Sequence, residues 1–145
     1  MGRGVSAGQP PLRGRLLAPG SAAGAALVLN EPLSLWGGLD PATGRIVDSR
    51  HPQRGESVTG RVLVMPAARG SSSSASVLAE AVRARTAPAG IVLGEPDLIL
   101  AIGAAVADEL YGRSLPIVVV RPAALRRIGP ATRVAIAADG TLTLG

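Results

Sequence analysis

Between Val62 and Arg85 the sequence runs from an apolar strand signal, Val62-Leu63-Val64, through a turn, into the helical pattern Val77 to Arg85. The turn reads Met65-Pro66-Ala67-Ala68-Arg69-Gly70-Ser71-Ser72-Ser73-Ser74-Ala75-Ser76. Strand, glycine-bearing turn and helix start form one unit, and the rest of the chain has to be arranged around it. A helix start presents unpaired backbone N–H groups and the positive end of the helix dipole. Phosphates and carboxylates bind at such ends. Serines before a helix also serve as plain N-caps or loop filler. A cap needs one hydroxyl, and Ser71, Ser72, Ser73, Ser74 and Ser76 supply five. The excess points to an anion-binding turn with Ser71 as a candidate reactive serine.

Residues 1–12 are rich in Gly, Pro and Arg and are expected to form a loose tail, with a single domain over 13–145. Ala25 to Leu29 reads as a short strand, paired with the segment Arg13 to Leu17. Asn30 to Glu56 is irregular, and its Gly, Pro and Asp positions predict successive turns. It holds the one tryptophan, Trp36, which predicts an ordered, packed loop. Gly37 and Gly38 beside it would let a backbone or a ligand come close. His51, the only histidine, precedes a proline in a turn and reads as an exposed loop residue. Ser57 to Met65 predicts a strand with a bulge at Gly60, and the helix after the serine turn is expected over Ser76 to Arg85. Gly90 to Leu93 follows as a buried strand. Asp97 caps a second helix, Leu98 to Tyr111, closed by Gly112, with Leu98, Ala101, Ile102, Ala105 and Val106 as its apolar face. Leu115 to Val120 is the continuous apolar run of a strand covered on both sides. Pro122 opens a short helical turn, and Arg133 to Leu144 reads as a hairpin about Asp139-Gly140. Strands first, then alternating strands and helices, predict an α/β fold: β-layers backed by helices.

Apolar residues make up 47% of the chain, nearly all Ala, Val, Leu and Ile, which is far too much for a disordered segment. No run reaches the ~20 apolar residues of a membrane span, and no compact apolar core marks a signal peptide. A cytoplasmic protein without membrane contact is expected. With no cysteine there is no disulfide, thiolate nucleophile or iron–sulfur ligand on this chain. The net charge of +5 comes entirely from arginines, but they are scattered and lack aromatic platforms, which argues against nucleic acid. A lone His51 is a poor metal ligand. No Ser-His-Asp set, nucleophile elbow, Walker lysine or carboxylate pair is visible. What the turn does offer is specific. Arg69 can fork onto a carboxylate, and Gly70 admits close approach. The N–H groups of Ser72, Ser73 and Ser74 favour negative charge. In that field Ser71 could take a proton from a carbon next to a carboxylate. An acid for the leaving group is missing, so the chain would hold half of an active site.

The ordered set Ser34-Leu35-Trp36-Gly37-Gly38-Leu39-Asp40-Pro41, Thr43-Gly44, His51-Pro52, Gly55-Glu56-Ser57, Gly60 to Val64, Arg69-Gly70-Ser71 and Ser76-Val77-Leu78 resembles the small subunit, or swivel domain, of aconitase X enzymes. Ala87-Pro88 and Ala101 to Ala104 continue the resemblance, which spans roughly residues 13–144. It implies a three-layer swivelling β/β/α domain that closes over an active site on a large partner subunit. That partner would carry an iron or iron–sulfur centre, acting as Lewis acid on the leaving hydroxyl. The implied reaction is dehydration of a small hydroxy acid, with the family's serine base falling on Ser71. Arg69, Gly70, Ser72, Ser73, Ser74, Trp36, Gly37 and Gly38 would bind substrate. Bacterial members resemble cis-3-hydroxy-L-proline dehydratases and archaeal members phosphomevalonate dehydratases. The archaeal turn has Thr and Gly after the first serine, where this chain has Ser72, Ser73 and Ser74, so the hydroxyproline branch is expected. The alternatives are the phosphomevalonate branch, a non-catalytic binding or regulatory module, and a phosphocarrier using His51.

Overall fold

The computed structural model describes residues 9–145. Strands β1 (Leu12–Arg13), β2 (Arg15–Ala18) and β3 (Ala22–Val28) open the chain. A short kinked turn of helix, α1 (Leu35–Gly38), and the ribbon β4 (Leu39–Asp40) and β5 (Arg45–Ile46) follow. The alternating part is β6 (Val62–Met65), α2 (Ser74–Ala84), β7 (Gly90–Leu93), α3 (Leu98–Tyr111) and β8 (Ile117–Val119). The chain ends in α4 (Pro122–Leu125), β9 (Arg133–Ile136) and β10 (Thr141–Leu144).

Eight strands form one sheet in the order β1-β10-β9-β3-β6-β7-β8-β2. Its two edge strands, β1 and β2, are separated by Gly14 alone, so the sheet must curl until its edges meet. Gly14 sits at that seam, where a Cβ would run into the Val118 side chain and the Gly140 carbonyl. The parallel core, β3-β6-β7-β8, alternates its side chains between two apolar layers. Leu63, Met65, Ile91, Leu93 and Ile117 face α2 and α3, packing on Leu78, Ala81, Leu100 and Ala104. Val62, Val64, Val92 and Val118 face inward, onto Val134, Ile136, Leu142 and Leu12 of the antiparallel strands. This is the α/β, β/β/α arrangement expected, with apolar runs on the central strands because both their faces are covered. No helix among the described residues is long and apolar enough to cross a membrane.

Several local expectations are corrected. The tail expected over 1–12 lies mostly outside the described residues, and Leu12 is already a buried member of β1. Arg13 to Leu17 does not pair with β3. Leu12 pairs with Leu142 and Arg15 with Val119, because the segment serves both edges of the curled sheet. The strand expected from Ser57 begins only at Val62: Gly60 has φ +70° and belongs to a turn closed by Arg61 N–H on the Val58 carbonyl. α2 starts two residues early, at Ser74, and ends in a left-handed Arg85 (φ +65°) ahead of Pro88. α3 has the expected bounds and cap, with Leu100 N–H donating to the Asp97 carboxylate at 2.8 Å. Its face is rotated, however. Leu100, Gly103, Ala104 and Ala107 are buried, while Leu98 is 74% and Ile102 48% exposed. The helix is apolar nearly all round, so periodicity does not select a face; the small residues do, by letting α3 lie close against α2.

The Asn30 to Glu56 loop is ordered, but not through its tryptophan. Leu33, Leu35 and Ile46 are fully buried in it, and Trp36 is 59% exposed.

Candidate active site

In a right-handed parallel β–α–β–α–β run, both helix starts sit beyond the carboxyl ends of the strands. The starts of α2 and α3 accordingly share one cleft, lined by Leu35, Ala68, Arg69, Gly70, Ser71, Ser74, Asp97, Ile99 and Leu100. Its cavity volume is about 10 Å³, close to the least that admits one water.

Ser71 is partly exposed at this cleft. Its Oγ accepts a hydrogen bond from Ser73 N–H at 3.0 Å, and its carbonyl accepts from Ser74 N–H at 3.0 Å. Residues 71–73 therefore make a tight turn leading into α2, capped by Ser71 one turn before the helix proper. The arrangement corrects one expectation: the N–H groups of Ser73 and Ser74 are turned onto Ser71 rather than held open for a ligand. A donor already aimed at Oγ, at the positive end of a helix, favours negative charge on that oxygen.

Gly70 has φ +109°, and a Cβ there would collide with the Ser34 side chain. The turn is thus shaped to fit the neighbouring loop. Ser34 Oγ donates to the Trp36 carbonyl at 3.0 Å, and Trp36 N–H donates to Ser74 Oγ at 3.1 Å. Ser74 is 4% exposed, so its hydroxyl anchors a loop and does not contact solvent. Arg69 is exposed; its backbone N–H donates to the Leu33 carbonyl (3.3 Å) and Nη2 to the Pro32 carbonyl (3.4 Å). Ala68 and Leu33 form an isolated parallel bridge beside it.

Of the site residues expected from sequence, the candidate base Ser71 and the candidate binding residues Arg69, Gly70 and Ser74 line the cleft. Ser72 and Ser73 stand on the turn without lining it. Trp36 and Gly37 are exposed next to it, and Gly38 is buried, packed so closely that a Cβ would lie 2.9 Å from Leu33 Cδ1. Asp97, Ile99 and Leu100 were not expected at the site. The signal for them was available: parallel connectivity brings the second helix start beside the first. His51 is also corrected. It is 5% exposed, with both ring nitrogens hydrogen-bonded to backbone.

Among the described residues no three of His, Cys, Asp and Glu gather into a set that could hold a metal ion.

The aconitase X swivel domain family model matches residues 11–144. A cis-3-hydroxy-L-proline dehydratase of Pseudomonas aeruginosa is 50% identical over 103 residues, 71% of this chain but 18% of that protein. The chain thus spans under a fifth of that relative's length. A phosphomevalonate dehydratase small subunit of Methanothermobacter thermautotrophicus is 41% identical over 93 residues, 64% of this chain and 71% of that one. The crystal structure of holo-form aconitase X from Thermococcus kodakaraensis superposes with a TM-score of 0.84 at 32% identity, covering 94% of this chain and 99% of that one. With its curled sheet, its two helix starts and the serine turn between them, the chain belongs to the aconitase X swivel domain family.

Proposed function

We propose that this chain is the small, swivelling subunit of a two-part hydro-lyase that dehydrates cis-3-hydroxy-L-proline, with Ser71 as general base. The observation that carries the reading is the Ser73 N–H aimed at Ser71 Oγ in a cleft that also holds Arg69. Arg69 binds the substrate carboxylate. Ser71 Oγ takes the proton from the carbon bearing that carboxylate. The released electron pair becomes the carbon–carbon double bond as the neighbouring C–O bond breaks, so that the proton on Ser71 and the departing hydroxide together make up the water that is lost. A free hydroxyl is a weak base, and the donor and helix start favour its anion.

The large subunit, carrying an iron or iron–sulfur centre, completes the site, and the complex is cytoplasmic. The cleft on this chain is too small to enclose a substrate, which supports a site completed by another body. The Pseudomonas dehydratase, 50% identical over 103 residues, supports the hydroxyproline branch together with the serine-rich turn. The second reading, phosphomevalonate dehydration, is favoured by a different fact: the Methanothermobacter relative is itself named a small subunit and is matched over most of its length.

The deciding experiment is turnover by the chain co-expressed with its large subunit, on cis-3-hydroxy-L-proline and on phosphomevalonate, with Ser71→Ala alongside. We expect turnover of the first substrate, reduced about 10²–10⁴-fold in the variant with the complex intact. Unchanged turnover in Ser71→Ala removes the serine from the mechanism. Turnover of phosphomevalonate alone establishes the second reading.

A further inference from the structure

The single histidine has no part in the chemistry above, yet it is buried and fully bonded. His51 Nε2 lies 3.0 Å from the Glu31 carbonyl, and Nδ1 lies 3.1 Å from Gln53 N–H. A carbonyl only accepts and an amide N–H only donates. In this pair of contacts Nε2 is therefore the donor, to Glu31, and Nδ1 the acceptor, from Gln53. Gln53 adds two more bonds: its side-chain amide donates to the Val28 carbonyl at 3.0 Å and accepts from Asn30 N–H at 3.2 Å. Together they clamp residues 28–31, where the chain leaves β3. The next two carbonyls, Pro32 and Leu33, are the ones that hold Arg69, by its guanidinium and its backbone N–H.

We infer that His51 is a positioning residue for Arg69: by fixing the Glu31 carbonyl it sets the Pro32-Leu33 segment on which the Arg69 guanidinium stands at the mouth of the Ser71 cleft. The inference rests on the reading of Arg69 as the partner of the substrate carboxylate. A cation displaced by a fraction of an ångström from its partner loses much of a bidentate contact. The histidine thus acts on binding, through two residues of backbone, without touching substrate.

The test uses His51→Leu, which removes both bonds, and His51→Gln, whose side-chain amide can reach Glu31 in place of Nε2. Amide exchange by NMR on the full chain is the first readout. In His51→Leu, exchange of the Arg69 amide is expected to rise about tenfold or more while Val92 and Leu93, in the central strand, keep their rates. His51→Gln is expected to restore Arg69 protection. The second readout is the assembled enzyme, where His51→Leu raises KM about tenfold with little change in kcat, and adds nothing further in an Arg69→Ala background. Unchanged Arg69 exchange, an equal rise across the central strands, or KM effects that multiply would overturn the inference. If exchange responds as expected but Arg69→Ala leaves KM unchanged, the positioning of Arg69 stands and its substrate role falls.

Discussion

At the scale of single residues, the serine run separates into members with different work. Ser71 lines the cleft and its Oγ accepts from Ser73, Ser74 is buried and its Oγ holds Trp36, and Ser72 is exposed. Ser74→Ala leaves the Trp36 N–H without its acceptor, and a loss of about 1–3 kcal/mol is expected from urea unfolding. Ser72→Ala is expected to stay within about 0.5 kcal/mol of the parent. Gly70→Ala has no such latitude, since its φ is in the left-handed region and Ser34 occupies the space a Cβ needs. Five hydroxyls exceed what a cap requires, and that excess singles out this turn as a candidate site. The run does not tell which of its serines line the cleft, since a turn of about three residues places neighbouring side chains in different directions. His51 misled for a related reason. A His-Pro dipeptide marks a turn, but only the fold shows that β3 ends against that turn and buries the ring.

At the scale of elements, caps and turns were more legible than faces. Asp97 and Gly112 bound α3 as local chemistry requires, and the β9–β10 hairpin turns at Gly140, with φ +91°. The buried face of α3 was misread because a helix with apolar residues all round has no polar side to orient it. The consequence is measurable. Leu78→Ala on α2, at a fully buried position, is expected to cost about 2–5 kcal/mol, whereas Ile102→Ala on α3 costs under about 1 kcal/mol because its side chain is already half in solvent. Thermal or urea melts on the two variants decide whether the rotated face is correct. The hairpin carries a pH dependence of known sign. Thr141 N–H donates to the Asp139 carboxylate at 2.9 Å and holds that group below the ordinary aspartate value. A carboxylate lowered on folding stabilises the protein above its unfolded value, and that contribution fades as pH falls through the folded one. Asp139→Asn is therefore expected to flatten slightly the loss of stability below about pH 4, read as Tm against pH.

At the scale of the whole molecule, the curled sheet and the open cleft follow from one connectivity. The parallel run places two helix starts at the same end, and the antiparallel strands fold back beneath to seal the second apolar layer. Nothing in that plan roofs the cleft, whose cavity of about 10 Å³ holds water rather than a hydroxy acid. Binding energy for a small polar ligand comes mainly from enclosure with placed polar groups, and one exposed arginine beside one serine does not supply it. The isolated chain is therefore expected to bind cis-3-hydroxy-L-proline with Kd weaker than about 1 mM, seen as the absence of saturable NMR shifts at Arg69, Gly70 and Ser71. The proposed large subunit is expected to change this, and the chain carries its own reporter. Trp36 is the only tryptophan and is 59% exposed beside the cleft, so its emission in the free chain is expected to be that of a largely hydrated ring. A body that covers Ser71 must also approach Trp36, because Ser74 ties the Trp36 backbone to the start of the same helix. With a partner whose tryptophans are replaced, assembly is expected to shift Trp36 emission to shorter wavelength. Tight assembly with no shift would mean that the partner docks elsewhere and that the Ser71 cleft remains open to solvent in the complex.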